Sequence, residues 1–184
     1  MTNLVFWMQE KKLKPFGKRT IKLGKSTLVL RPAKQTDAKA LNNIVNEPGV
    51  NDFLMVESPL SLQSTKKALK EDKKRLWIVS ELDNTVVGSI SLRPGIGRND
   101  IVCHFGIAYS KKVHGKGVAK ASLGACFDWM RQTGFDNCTE HVLDNNSRAR
   151  KFYKKMGFKE IAHTPRQMRT KKGIIGTYVI QKTL

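Results

Sequence analysis

The octapeptide Lys112-Val113-His114-Gly115-Lys116-Gly117-Val118-Ala119 joins an apolar run, Ile101 to Tyr109, to a second apolar stretch that reaches Gln132. Strand, glycine turn and helix are the order this pattern predicts. Glycines at 115 and 117 let the backbone turn tightly and aim successive N–H groups at one point, at the positive end of the helix that follows. Such a point binds phosphate or pyrophosphate with few side chains. Ordinary turn chemistry asks for the same glycines, so the octapeptide alone leaves both readings open. It lacks the third glycine of a dinucleotide fingerprint and the Gly-Lys-Ser/Thr of a P-loop.

A second segment follows downstream, Asn146-Ser147-Arg148-Ala149-Arg150-Lys151-Phe152-Tyr153-Lys154-Lys155-Met156-Gly157-Phe158. It reads as a helix, Ser147 to Met156, capped by Asp144-Asn145-Asn146 and stopped by Gly157. Ala149, Phe152, Tyr153 and Met156 form its inward face. The two segments together resemble the signature motifs of the GNAT N-acetyltransferase superfamily. The first, Gln/Arg-x-x-Gly-x-Gly/Ala, falls on Lys112, Gly115 and Gly117, with Lys112 departing from Gln/Arg but keeping a cationic donor. The second, Asn-x-x-Ala-x-x-x-Tyr-x-x-x-Gly-Phe, is matched throughout at Asn146, Ala149, Tyr153, Gly157 and Phe158. The similarity of pattern runs from about Thr27 to the C-terminus and leans toward the subgroup that acetylates free amino acids or protein N-termini.

The resemblance implies an α+β fold, a mixed sheet splayed between strands 101–109 and 137–143 and flanked by helices. It implies acetyl-CoA as co-substrate, with no metal. Phe105, Gly106 and Ile107 would align the cofactor along the first strand. The N–H groups from Val113 through His114, Gly115, Lys116 and Gly117 to Val118 would take the pyrophosphate, with Lys112 and Ala119 flanking them. Asn146 would hold the pantetheine side and Tyr153 would sit by the sulfur.

A departing thiolate needs a proton, and a phenol with an ordinary pKa near ~10 stays protonated at neutral pH to supply one. Tyr153 is thus the expected acid, although Phe152 and Met156 beside it also suit a core aromatic. The attacking amine must be neutral. An α-amine of pKa near ~8 is about a tenth neutral at pH 7, so a weak base suffices, whereas a lysine side chain needs more help. The position that serves as base in ribosomal-protein N-terminal acetyltransferases falls on His141. The alternative position on the other strand falls on Ile101, which cannot act. Glu140 is the reserve candidate, on the opposite side of the strand from His141 if alternation holds. No cysteine stands beside a charged partner except Cys103 next to His104, and those two face opposite ways on a strand, which leaves direct attack in a ternary complex.

The remaining chain supplies elements to hold these groups. Thr20–Leu23 and Thr27–Arg31 alternate around Gly24-Lys25 as a hairpin that Pro32 ends. Thr36-Asp37 caps a helix to about Asn46, stopped by Pro48-Gly49, and a second helix runs from about Leu62 to Lys73. Leu76–Leu82 and Val86–Leu92 form a hairpin around Asp83-Asn84. Asn137–Leu143 is a further strand, and Phe158–Met168 and Ile174–Leu184 close the chain as a hairpin around Lys171-Lys172-Gly173. Residues 1–26 read as a basic arm and hairpin extension, and residues 27–184 as the GNAT domain. Within 9–26 the lysines outnumber Glu10, the pattern of a solvated arm.

At 184 residues, 40% of them hydrophobic, the chain suits one globular domain. No apolar run spans a membrane, and Leu4-Val5-Phe6-Trp7-Met8 lacks the basic lead and cleavage site of a signal peptide. Cys103, Cys126 and Cys138 are odd in number and without Cys-x-x-Cys spacing, as expected of buried thiols in the cytoplasm. Thirty-four Lys and Arg against fifteen Asp and Glu give a net charge of +19, more than one CoA requires. Association with ribosome or nucleic acid through the basic surface is therefore the alternative to catalysis, and homodimer formation is left open. The expected partner is an amine: a small molecule, a protein N-terminus or a lysine. Between Lys39 and Lys66 there is no basic residue, while Glu47, Asp52 and Glu57 stand there. This gap predicts an acidic mouth on the acceptor side, drawing in a cationic amine.

Overall fold

The computed structural model describes residues 11–56, 58–72, 74–170 and 173–184. The apolar patch at 4–8, Glu57 and the Lys171-Lys172 turn lie outside them. Eight strands form one sheet: β1 (Arg19–Leu23), β2 (Ser26–Pro32), β3 (Leu76–Leu82), β4 (Thr85–Pro94), β5 (Val102–Tyr109), β6 (Asn137–Leu143), β7 (Lys159–Thr170) and β8 (Gly173–Thr183). Four helices accompany them: α1 (Ala38–Val45), α2 (Leu62–Glu71), α3 (Val118–Thr133) and α4 (Ser147–Lys155). Spatial order is β1-β2-β3-β4-β5-β6-β8-β7, antiparallel except where β5 meets β6. This is the α+β mixed sheet flanked by helices that the motifs implied.

The β5–β6 contact is short. Val102, Cys103 and His104 pair with Asn137, Cys138 and Thr139, and there the parallel ladder ends. From Phe105 and Glu140 onward each strand keeps only its outer neighbour, β4 or β8. The sheet opens like a V at this point.

Cross-strand partners point to the same face, so register sorts the side chains. Trp77, Ser91, Arg93, His104 and Gly106 share one face with Thr139 and His141. Cys103, Phe105, Ile107 and Tyr109 share the other with Cys138, Glu140 and Val142. The first face is covered by α1, against which α2 packs, and the second by α3 and α4. The start of α1 is fixed by Arg31, whose guanidinium grips Asp37 at 2.7 and 2.8 Å and also reaches Glu81. On the second face the core is dense: Leu123, Cys126 and Met130 of α3 are fully buried under Ile78, Ile90 and Leu92. Burial of this kind is the main force holding a sheet of this size to its helices.

The basic arm departs from the solvated reading over its described part. Phe16 is 4% exposed and lies 6.3 Å from the Trp129 ring. The Trp129 indole N–H donates to the Lys14 carbonyl at 3.1 Å. Lys11 and Lys14 donate to the carbonyls of Gly134 and Gln132. Those carbonyls sit at the C-terminal end of α3, where unsatisfied acceptors and the helix dipole favour cations. Two of the lysines that looked like solvated charge, Lys11 and Lys14, are helix caps, while Lys12 and Lys18 are exposed.

Candidate active site

A cleft of about 1090 Å³ runs through the V, and both faces of the sheet contribute to its walls. One end is formed by the glycine turn. Gly115 and Gly117 have φ of 76° and 78°, the left-handed region that side chains disfavour. A Cβ at either position would meet no atom within 4 Å, so the space above the turn is open. Among the described residues no acceptor takes the N–H groups of Gly115, Gly117, Val118 and Ala119, whereas Ala121 already bonds back to Gly117 at 2.9 Å. Four free donors at the first turn of a sixteen-residue helix make an anion cradle.

Side chains around the turn add cations: Lys120, Arg148, Lys151 and Lys155 line the same end. Arg148 also fixes His114. The His114 Nε2 lies 3.1 Å from the Tyr109 carbonyl, which only accepts, so Nε2 carries the proton. Nδ1 then accepts from Arg148 at 2.9 Å. Burial first, and the adjacent guanidinium second, hold its pKa below the usual histidine range, which keeps this neutral tautomer. His114 therefore ties the turn to the start of α4.

Of the residues the sequence nominated, Phe105, Gly106, Ile107, Val113, His114, Gly115, Gly117 and Ala119 line the cleft together with His141, Asn146 and Tyr153. Lys112 and Lys116 are exposed beside it, and the Val118 side chain is in the core, leaving only its N–H at the turn. Asn146 caps α4: its Oδ1 accepts from Ala149 N–H at 3.1 Å, as the turn chemistry predicted. Its amide nitrogen has no acceptor among the described residues.

Two tyrosines show what the site does to a phenol. Tyr109 is buried and its hydroxyl is engaged by Ser80 at 2.9 Å, within a chain that continues to Ser122. Tyr153 is 4% exposed and packs edge-on against Phe105 with centroids 5.7 Å apart. No described residue engages its hydroxyl, and the side chain lines the cleft. Burial, then the nearby Glu140 carboxylate, raise its pKa well above the ordinary phenol value. Tyr153 keeps its proton throughout the neutral range.

Glu140 and His141 stand where the V opens, on opposite faces as alternation required. His141 is exposed and shares the face of His104 and Arg93. The half-buried Glu140 carboxyl, on the Tyr153 face, is pushed up to about 8 by loss of solvent, with Arg75 and Arg93 opposing the shift.

Of the carboxylates expected to form an acidic mouth, Glu57 lies outside the described residues and neither Glu47 nor Asp52 lines the cleft. Glu47 turns outward and its Oε1 accepts from Lys111 N–H at 3.0 Å. Asp52 is exposed, outside the cleft wall. Instead the end of α1 and its connection to α2 lay Val45, Val50, Phe53, Leu54, Met55 and Leu60 along the cleft that Trp77 also lines. Asn46 anchors the far end of this connection through paired bonds to Leu60, both at 2.8 Å. Arg75, Trp77, Ser91 and Arg93 were not nominated from sequence. Only the alternation of β3 and β4 pointed inward, and it does not say which end meets the cleft.

Among the described residues no group of three His, Cys, Asp or Glu is placed to hold a metal, and no helix is long and apolar enough to cross a membrane.

Residues 27–159 match the model of the acetyltransferase (GNAT) domain. Among curated protein sequences none matches significantly. Several solved structures share the fold. The ribosomal-protein-alanine N-acetyltransferase of Brucella melitensis is 19% identical with a TM-score of 0.75, the match covering 84% of this chain and 99% of that one. RimJ of Mycobacterium smegmatis, solved with CoA-disulfide, is 17% identical with a TM-score of 0.77, over 90% of this chain and 86% of its own. The Salmonella typhimurium protein yncA, described as an acetyltransferase and solved with its cofactor acetyl-CoA, is 16% identical with a TM-score of 0.75, over 85% and 94%.

Proposed function

The chain belongs to the GNAT acetyltransferase family, and from that premise we propose that it moves the acetyl group of acetyl-CoA to a primary amine by direct attack in a ternary complex. The observation that carries this reading is the pairing of an anion cradle at one end of the cleft with an unengaged, protonated phenol at its centre. The two are joined by the open edges of β5 and β6, along which an extended pantetheine arm fits.

In the proposed reaction the free N–H groups from Gly115 to Ala119 and the surrounding cations hold the pyrophosphate. The main chain of Phe105, Gly106 and Ile107 aligns the arm, and the Asn146 amide nitrogen donates to it. The amine attacks the thioester carbonyl from the face that bears His141, which accepts the amine proton. Tyr153 protonates the departing thiolate of CoA from the other face. Glu140 supports a second assignment of the base, because a carboxyl titrating near 8 at the mouth of the V is poised for proton transfer.

The cysteines favour direct attack. Cys103 and Cys126 are fully buried, and burial pushes the Cys103 and Cys138 thiols up to about 12. None offers a thiolate to form an acyl intermediate. Three unpaired thiols also fit a reducing compartment such as the cytoplasm.

The test is amine-dependent release of free thiol from acetyl-CoA across a panel of amino acids, peptides and diamines. Turnover with at least one primary amine and product acetylated on nitrogen is the expected result. Binding of acetyl-CoA with no transfer to any class of amine would point instead to a non-catalytic module.

A further inference from the structure

The acceptor end of the cleft has a chemistry of its own. Its roof, the connection between α1 and α2, and its floor at Trp77 are apolar and aromatic. Its one described carboxylate is Glu140, at the reacting end. A second ammonium on the acceptor, as in a diamine or a lysine-rich peptide, would find no further counter-charge there among the described residues. What the wall offers is cationic. Arg93 lines the cleft as an exposed side chain, and among the described residues no hydrogen bond or ion pair holds its guanidinium, while its charge reaches the Glu140 carboxyl. Ser91 lies next to it on the same face, its hydroxyl likewise unengaged.

Position ties these groups to the reaction. Arg93 pairs across strands with His104, and His104 with Thr139, the last rung before the V opens. The guanidinium therefore sits beside the point where an attacking amine must stand. Arg75 stands beside Trp77 and is held by Asp72 at 3.0 Å, so it is neutralised in part, whereas Arg93 has no ion pair among the described residues. His104 donates or accepts through Nδ1 with Thr139 at 3.0 Å, and burial and Arg93 keep its pKa below the usual range. Neutral His104 does not compete for an anion.

Resting on the acetyl-transfer reading, we propose that the acceptor is a free α-amino acid with an apolar side chain. Its carboxylate pairs with Arg93 and is supported by the Ser91 hydroxyl. Its side chain packs between Trp77 and the Phe53–Met55 segment, and its α-amine faces the thioester at the V. A carboxylate one carbon from the amine matches a guanidinium at the rung next to the opening. A peptide N-terminus, carrying an amide there, forgoes the charge-assisted pair with Arg93.

The experiment compares methionine, leucine and phenylalanine with their amides and with a short peptide of the same first residue, following thiol release, in wild type, Arg93→Gln and Arg93→Lys. Acetyl-CoA binding by calorimetry and thermal melting are measured on each variant. The expected result is a preference for the acid over the amide of about 10²-fold in kcat/KM, collapsing toward unity in Arg93→Gln and partly restored in Arg93→Lys. The change falls in the KM of the acid, with acetyl-CoA affinity and melting temperature held. Amides or peptides used as well as the acids, an unchanged ratio in Arg93→Gln, or acetyl-CoA bound without turnover of any of the three acids overturns the proposal. Failure of wild type to bind acetyl-CoA overturns the acetyl-transfer reading itself, and this inference with it.

Discussion

At the Gly115–Ala119 end the cleft wall offers main-chain N–H groups ringed by cationic side chains, while at the Trp77 end it is side chains drawn from segments far apart in sequence. The first end needs two left-handed glycines and a helix start, and almost any residue serves between them. The second depends on the identity of Phe53, Leu54, Met55, Trp77, Ser91 and Arg93, which arrive from a connection and two strands. A cofactor common to many enzymes can be held by backbone, whose geometry is the same whatever the sequence. An acceptor that distinguishes one enzyme from another has to be read by side chains. Tyr153 lies between the ends, and in the proposed reaction it serves both.

The largest effect is expected where the two ends meet. Tyr153→Phe removes the proton the thiolate needs and should lower kcat by about 10²–10⁴-fold, with acetyl-CoA affinity nearly unchanged. The ring packing against Phe105 and Phe158 is retained in that variant, so its melting temperature should hold. Near-normal turnover would remove Tyr153 from the chemistry.

A change confined to the acceptor end should show in one substrate only. Trp77→Ala is expected to raise the KM of the amine by about tenfold or more while sparing that of acetyl-CoA. Steady-state kinetics with each substrate varied in turn checks this. Equal effects on both Michaelis constants would mean the ends are not independent.

Glu140 gives a smaller effect, and its sign is fixed. Its carboxyl moves from an ordinary 4.5 to about 8 in the folded chain. Between those values the native state holds a proton that the unfolded chain has released. The stability this confers is full below about 4.5 and is lost as pH rises to about 8. Glu140→Gln should flatten that slope in denaturant titrations run across this range. If Glu140 is the base, wild-type kcat/KM rises with pH through about 8 and Glu140→Gln loses that limb; if His141 is, Glu140→Gln keeps the wild-type pH profile and His141→Ala loses most of the activity.

The difference between the ends also decides what could be read from the chain before its fold. Gly115, Gly117, Asn146 and Tyr153 are local signals, each meaningful within a few residues of its neighbours, and the strands and helices around them were legible from period and punctuation. The splay was legible only through the resemblance, since nothing in the alternation of β5 or β6 announces that their ladder stops at His104 and Thr139. Arg93 looked like any charge at a strand end. Glu47 and Asp52 looked like a pocket mouth because charge composition carries no direction, and Glu47 in fact points to the Lys111 N–H. The arm at 11–18 misled for the same reason: counting lysines hides Phe16, whose burial brings Lys11 and Lys14 to the end of α3 as caps.

The account stands most directly on where the phosphates of the cofactor bind, and Gly117→Val tests it. At φ of 78° the new side chain would enter the open space above the turn, where a Cβ meets no protein atom within 4 Å. Calorimetric titration of acetyl-CoA into wild type should give one tight site, and into the folded variant an affinity weaker by about 10²-fold or more, with a cost in stability of about 1–2 kcal/mol from the left-handed backbone. Unchanged acetyl-CoA affinity in a folded Gly117→Val protein would contradict the account, because the pyrophosphate would then lie somewhere other than the glycine turn.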